Sequence, residues 1–195
     1  MLLSGSRPID ELPPRWASAL INTLSLPISF LEPDDARELI VRPVADFPAD
    51  LYRAEAVERI LNLSHAQPYL VQLLCATLVE RMNKTGRMPP ASQVDLADVT
   101  AIIPTALERG GNYFSDLWHG QAGSETARLI LETLARPDSP ALDADALRKL
   151  EPDDRALNAA LRTLLRREIV EKGEDGRYRI VVPLVAEYVR GQRVI

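Results

Sequence analysis

No phosphate-binding loop occurs anywhere in this sequence of 195 residues. Such a loop needs a glycine-rich turn ending in Gly-Lys-Ser/Thr, so that backbone N–H groups and one ammonium can hold the β- and γ-phosphates. The lysines of the chain are Lys84, Lys149 and Lys172, and none of them follows a glycine. No apolar strand ending in a carboxylate pair is present either, which removes the usual magnesium-binding and water-activating groups. These absences exclude ATP hydrolysis by this polypeptide alone.

Other absences narrow the class further. The single cysteine, Cys75, cannot form an internal disulfide, and its apolar setting between Tyr69 and Val79 predicts a buried free thiol in a reducing compartment. One cysteine with His65 and His119 cannot assemble an ordinary zinc cage. No charged-then-apolar leader follows Met1, and no apolar run approaches the ~18 residues of a membrane span. A cytoplasmic location without a membrane partner is therefore expected. An excess of basic charge is also missing. With Lys and Arg at 23 against Asp and Glu at 28, the formal charge is -5 and the pI is near 5.2. A generalised binder of nucleic acid or anionic lipid would need the opposite balance.

What is present is enough apolar sequence, 46% of residues, to bury one or two cores. Residues 1–31 read as α/β remnants: a short strand at Met1 to Ser4, a polar turn at Gly5 to Glu11 and a strand-like stretch at Leu24 to Leu31. Parallel strands of this kind need neighbours on both sides, so the chain is expected to be a truncated fragment that opens inside a sheet. From residue 32 to 120 the periodicity is helical, with helices after Pro33, near Ala54 to Leu63 and near Pro68 to Met82. A loop is expected from Asn83 to Ser92. Asp95 to Trp118 is then predicted helical, with Pro104 and the Gly110-Gly111 pair bending or breaking it.

Residues 121–195 carry another rhythm. Helices are expected near Ser124 to Leu134, Asp143 to Leu150 and Asp153 to Arg167. Strands at Ile169 to Lys172 and Tyr178 to Val182 flank the turn Gly173 to Gly176. Three helices followed by a hairpin read as a winged helix, and Asp175-Gly176 supplies the positive φ that such a turn needs. A terminal helix should start at Pro183. The fold class expected is mainly α: an α/β sheet remnant, a helical bundle and a C-terminal winged helix.

The residues Leu3, Ser4, Gly5, Ser6 and Arg7, then Phe30 and Leu31 before an acidic helix start, then Pro68, Tyr69, Leu70, Val71, Gln72, Leu73 and Leu74, carry a resemblance. The wing, Tyr178 to Leu184, supports it. The chain resembles the C-terminal part of bacterial and archaeal STAND-type ATPases, within the wider AAA+ group, from the sensor strand through the helical lid to the winged helix. That resemblance implies that residues 1–31 are the remnant of a nucleotide-binding core, 32–120 the lid and 121–195 the winged helix. It implies a nucleotide-sensing and signal-relay role in which Ser6 and Arg7 detect the γ-phosphate, as an arginine fork can through charge-assisted paired bonds. Pro68, with Tyr69 beside it, would lie against the nucleotide. ATP or ADP with Mg2+ would bind only if the missing core were supplied, by upstream sequence or by a partner protein, and a homo-oligomer is possible. Where relatives often have glycines before the proline, this chain has Ser64, His65, Ala66 and Gln67.

Plainer readings stand beside these. Arg7 can be a solvated loop residue, Pro68 a common helix opener and Tyr69 lid core. A winged-helix DNA-binding regulator is the alternative function, because Arg155, Arg162 and Arg166 lie on its third helix. The interleaved Asp153, Asp154 and Glu168 and the acidic wing make DNA the weaker partner. A protein-interaction scaffold is the third option. No catalytic residue and no metal ligand is assigned.

Overall fold

The computed structural model describes residues 29–48, 50–87 and 93–192, together with Trp16 and Asn22. The strand expected at Met1 to Ser4 and the sensor residues Ser6 and Arg7 lie outside the described residues. Of the strand-like stretch Leu24 to Leu31, only Ser29, Phe30 and Leu31 are described, and they belong to no strand. Among the described residues the protein is mainly helical, with one small two-stranded antiparallel sheet.

Helix α1 spans Pro33–Val41 and α2 spans Ala54–Ser64. Pro33 at the first helical position and Asp34 and Asp35 in the first turn suit the helix start, because an absent N–H costs nothing there and carboxylates favour the positive end of the dipole. Ala36 and Ile40 of α1, and Ala56, Val57, Ile60 and Leu63 of α2, bury one face of each helix. The α2 start has no side-chain cap. Instead, Arg53 donates its N–H to the Val94 carbonyl at 2.9 Å and Val94 donates to Leu51 at 2.7 Å, which staples this start to the chain ahead of α4.

Helix α3, Pro68–Thr85, forms the centre of this bundle and contacts α1, α2 and α4. It ends on Gly86 at φ 66°, a left-handed cap that glycine adopts without strain. Helix α4, Leu96–Arg109, opens on a full capping box in which the Asp95 carboxylate accepts the Asp98 N–H and Asp98 accepts the Asp95 N–H. It continues past Pro104 without a break. Burial of Val99, Ile102 and Ala106 along one face holds the helix together despite the missing N–H. The break falls at the Gly110-Gly111 pair, one of the two expected places. A Cβ on Gly110 would sit 2.8 Å from the side-chain ends of both Leu73 and Phe114, so any larger residue would have to displace them. Helix α5, Gly111–Ser115, then passes into a π-helical stretch, Asp116–Gln121.

The second half contains α6, Glu125–Leu134, α7, Ala144–Leu150, and α8, Asp154–Arg166. Each opens on a side-chain cap, from Ser124, Asp143 and Asp153 respectively. Strands β1, Val170–Lys172, and β2, Tyr178–Ile180, pair antiparallel with Val170 opposite Ile180 and Lys172 opposite Tyr178. Leu142, just ahead of α7, adds a bridge on the other side of β2, exchanging bonds of 3.0 and 2.7 Å with Tyr178. In the hairpin turn only Gly176 has a positive φ, 76°, and Asp175 does not. Asp175 instead accepts from the Arg177 N–H and from the Arg179 side chain. The turn is thus a longer loop closed by one left-handed glycine, not a two-residue turn with both φ values positive.

Helix α9, Pro183–Gln192, packs on α6 and on α2 and so touches both halves. Leu184, Val185 and Val189 bury its inner face. The result is one continuous apolar core running from Ile40 to Val189. No helix among the described residues is long and apolar enough to cross a membrane.

Candidate functional site

The turn between α2 and α3 holds the residues that the sequence singles out. Ser64 closes α2 with its hydroxyl donated to the Ile60 carbonyl at 2.8 Å, inside the protein. His65 and Ala66 follow at φ 49° and 56°, two successive non-glycine residues in the left-handed region. The tight turn is therefore built here without glycine, at a local cost of about 1–3 kcal/mol for each residue so held. Neighbours hold the strain in place. Leu31 donates its N–H to the Ala66 carbonyl at 2.9 Å, and the Phe30 ring meets His65 edge-on at 5.1 Å.

Pro68 opens α3 at its first position, behind Gln67, whose side chain caps the Leu70 N–H at 2.8 Å. Tyr69 points partly outward, 41% exposed, and is not part of the apolar core. Its ring lies 5.2 Å from Tyr113, which lies 5.2 Å from Phe114, which stacks at 4.9 Å on Tyr188 of α9. Four rings thus run without a gap from the Pro68 turn to the terminal helix. Burial pushes the Tyr113 hydroxyl up to about 12, with Tyr69 nearby adding to it, so this phenol stays neutral at any ordinary pH. No feature of the sequence pattern announces this run, because α5 is too short to show a periodicity. The adjacent Tyr113-Phe114 pair was its only signal.

A second clamp joins the halves. Arg167, at the end of α8, donates to the Gly120 and Gln121 carbonyls that close the π-helical stretch. Those carbonyls have no intrahelical partner, so a guanidinium is a fitting cap. Ser29 also donates to Glu168 at 2.5 Å, and Glu168 is the remaining described non-glycine residue with positive φ, 52°.

Arg155, Arg162 and Arg166 share the outward side of α8 and are exposed, opposite the buried Leu157, Ala160, Leu161 and Leu164. They lie on a different element from Pro68 and Tyr69, and the two sets do not share one site. An open groove of about 600 Å3 lies at the starts of α2 and α4, lined by Arg53, Glu55, Asp95, Leu96 and Thr100. Arg53 stands among its carboxylates, and Pro68 and Tyr69 do not line it. Cys75 is free and half-buried, less enclosed than expected. Burial pushes its thiol up to about 11, against a smaller downward pull from the Tyr52 hydroxyl, which keeps it an inert thiol. Among the described residues no group of three His, Cys, Asp or Glu side chains could hold a metal ion.

No protein-family model, curated protein or solved structure matches this chain.

Proposed function

We propose that this chain is the nucleotide-sensing relay portion of a STAND-like ATPase, a helical lid followed by a winged helix. The observation that carries the reading is the run of rings Tyr69, Tyr113, Phe114 and Tyr188, which connects the turn at Pro68 to the helix that both halves share. The order α6, Leu142 bridge, α7, α8 and hairpin supports the winged-helix part of it. The strained turn at His65 and Ala66 supports the other part, since it reproduces a close-approach turn without the glycines that usually make one.

The residues of this turn fit one end of a nucleotide. Pro68 and Tyr69 present ring faces suited to a base or ribose. The hydrogen bonds and ring contacts of Ser64 to Leu70 involve no cation for phosphate and no carboxylate for Mg2+. Phosphates and metal belong to a core supplied by other sequence, with Ser6 and Arg7 as its sensing residues. Binding energy at the turn then shifts the arrangement of α9 only to the extent that ATP and ADP contact the two arrangements differently.

The test joins the chain to its in-frame upstream sequence and compares backbone hydrogen exchange across α9 with ATP and with ADP. Different protection in the two nucleotides, lost in Tyr69→Ala, supports the reading. Identical protection, or a stop codon directly upstream with a promoter of its own, overturns it.

A further inference from the structure

Away from the Pro68 turn, the outward side of α8 carries an uncovered stripe. Arg155, Asn158, Arg162, Leu165 and Arg166 recur at three- and four-residue steps and face solvent over about 16 Å of helix. No acidic residue interrupts the stripe between Arg155 and Arg166. Neither the Arg155 nor the Arg162 side chain has a hydrogen-bond or ion-pair partner among the described residues. Leu165, 36% exposed, sits among them as an apolar side chain with guanidinium neighbours.

The two ends of the stripe have the opposite sign. Asp153 and Asp154 precede it and Glu168 and Glu171 follow it, while in the hairpin Lys172, Arg177 and Arg179 offset Glu174 and Asp175. A nucleic-acid backbone carries evenly spaced negative charge and would meet carboxylates at both ends. A short helix with carboxylates along one side would meet only the arginines, and an apolar side chain on it would cover Leu165. The chain as a whole, at -5 with these arginines included, disfavours such a partner on its other faces and leaves this stripe as its landing place.

We propose that the α8 stripe is the docking face for an acidic amphipathic helix of a protein partner, paired through Arg155 and Arg162 and sealed over Leu165. Exposed ion pairs alone bind weakly, so the leucine contact is required to exclude water around them. The inference shares no residue with the nucleotide reading and fails or stands separately from it.

Random peptides displayed on phage test it, selected on the whole chain and counter-selected on the double variant Arg155→Glu, Arg162→Glu. These positions are exposed, and circular dichroism checks that the variant keeps its helix content. The expected survivors carry Asp or Glu and an apolar residue at helical spacing. A synthetic copy of one should bind about tenfold more weakly to Arg162→Ala, weaken again in Leu165→Ala, and lose affinity as salt rises. Survivors that bind the double variant equally, survivors without acidic residues, or no survivors at all would overturn the proposal. So would short duplex DNA that binds through the same arginines while the peptides do not.

Discussion

The helices ahead of Pro68 and those after Gly123 begin in different ways. Helices α6, α7 and α8 each start on a Ser or Asp whose side chain accepts a backbone N–H within its own first turn. Helices α1 and α2 start on Glu32 and Arg53, neither of which caps anything with its side chain. The later helices are specified locally, by residues within three positions of one another. The earlier ones are specified by what they pack against, including the Arg53 to Val94 staple from a distant part of the chain. Helix starts therefore rest on different physics in the two regions, which meet through α9, the Ser29–Glu168 bond and one shared apolar core.

Substitutions can break or sharpen that contrast. Phe114 has no exposed surface and joins the two regions by stacking on Tyr188. Phe114→Ala should lower unfolding free energy by about 3–5 kcal/mol, read from urea denaturation, with the transition remaining single. A separate transition for the later region would show that local caps suffice to fold it alone. Next in size is the Asp98 pair. Arg87 grips Asp98 with bonds of 2.5 and 2.9 Å and reaches the Gln93 carbonyl as well. Burial raises the Asp98 pKa, but the Arg87 contacts and the Asp95 N–H outweigh it and hold the carboxyl below its ordinary value. A depressed folded pKa contributes stability that is present above the unfolded value of about 4 and lost as pH falls through the folded one. Asp98→Asn should thus lower the melting temperature at pH 7 and flatten the acid limb below about pH 4.

Caps come third. Asp143→Ala and Ser124→Ala should each cost about 1 kcal/mol in thermal or urea unfolding, whereas Glu32→Ala should stay within about 0.5 kcal/mol. Equal losses at all of them would erase the contrast between the regions. The smallest effect has the opposite sign. Ala66→Gly relieves a left-handed alanine and should raise stability by about 0.5 kcal/mol, a gain trimmed by the extra freedom of glycine in the unfolded chain. His65→Gly should gain less, because it also removes the ring that meets Phe30.

The same division explains what could be read from the sequence. The bounds of α6, α7, α8 and the hairpin follow from Ser124, Asp143, Asp153 and Gly176, each a local signal at the place where it acts. The ending of α3 at Thr85 rather than Met82 follows from Gly86, which lay inside the expected loop. The helix continues past Pro104 because that residue's cost is local whereas the packing that offsets it comes from α3, a neighbour the local pattern does not show. At the candidate site, Pro68 was legible as a helix opener, but the ring run through Tyr113 and Tyr188 was not. Those residues are far apart in the chain, and only packing brings them together. Arg167 was legible as a basic residue closing α8, yet its side chain holds the Gly120 and Gln121 carbonyls.

Helix α9 has a consequence for how the chain is made. Leu184, Val185 and Val189 fill space against α6 and α2, and a ribosome delivers them after every described residue that they contact. Until they arrive, both regions hold an open apolar seam, and synthesis from the N-terminal end leaves that seam exposed to chaperones and to other nascent chains. The first region cannot finish early and wait for the second. Completion of both is a single late event, timed by the emergence of about ten residues.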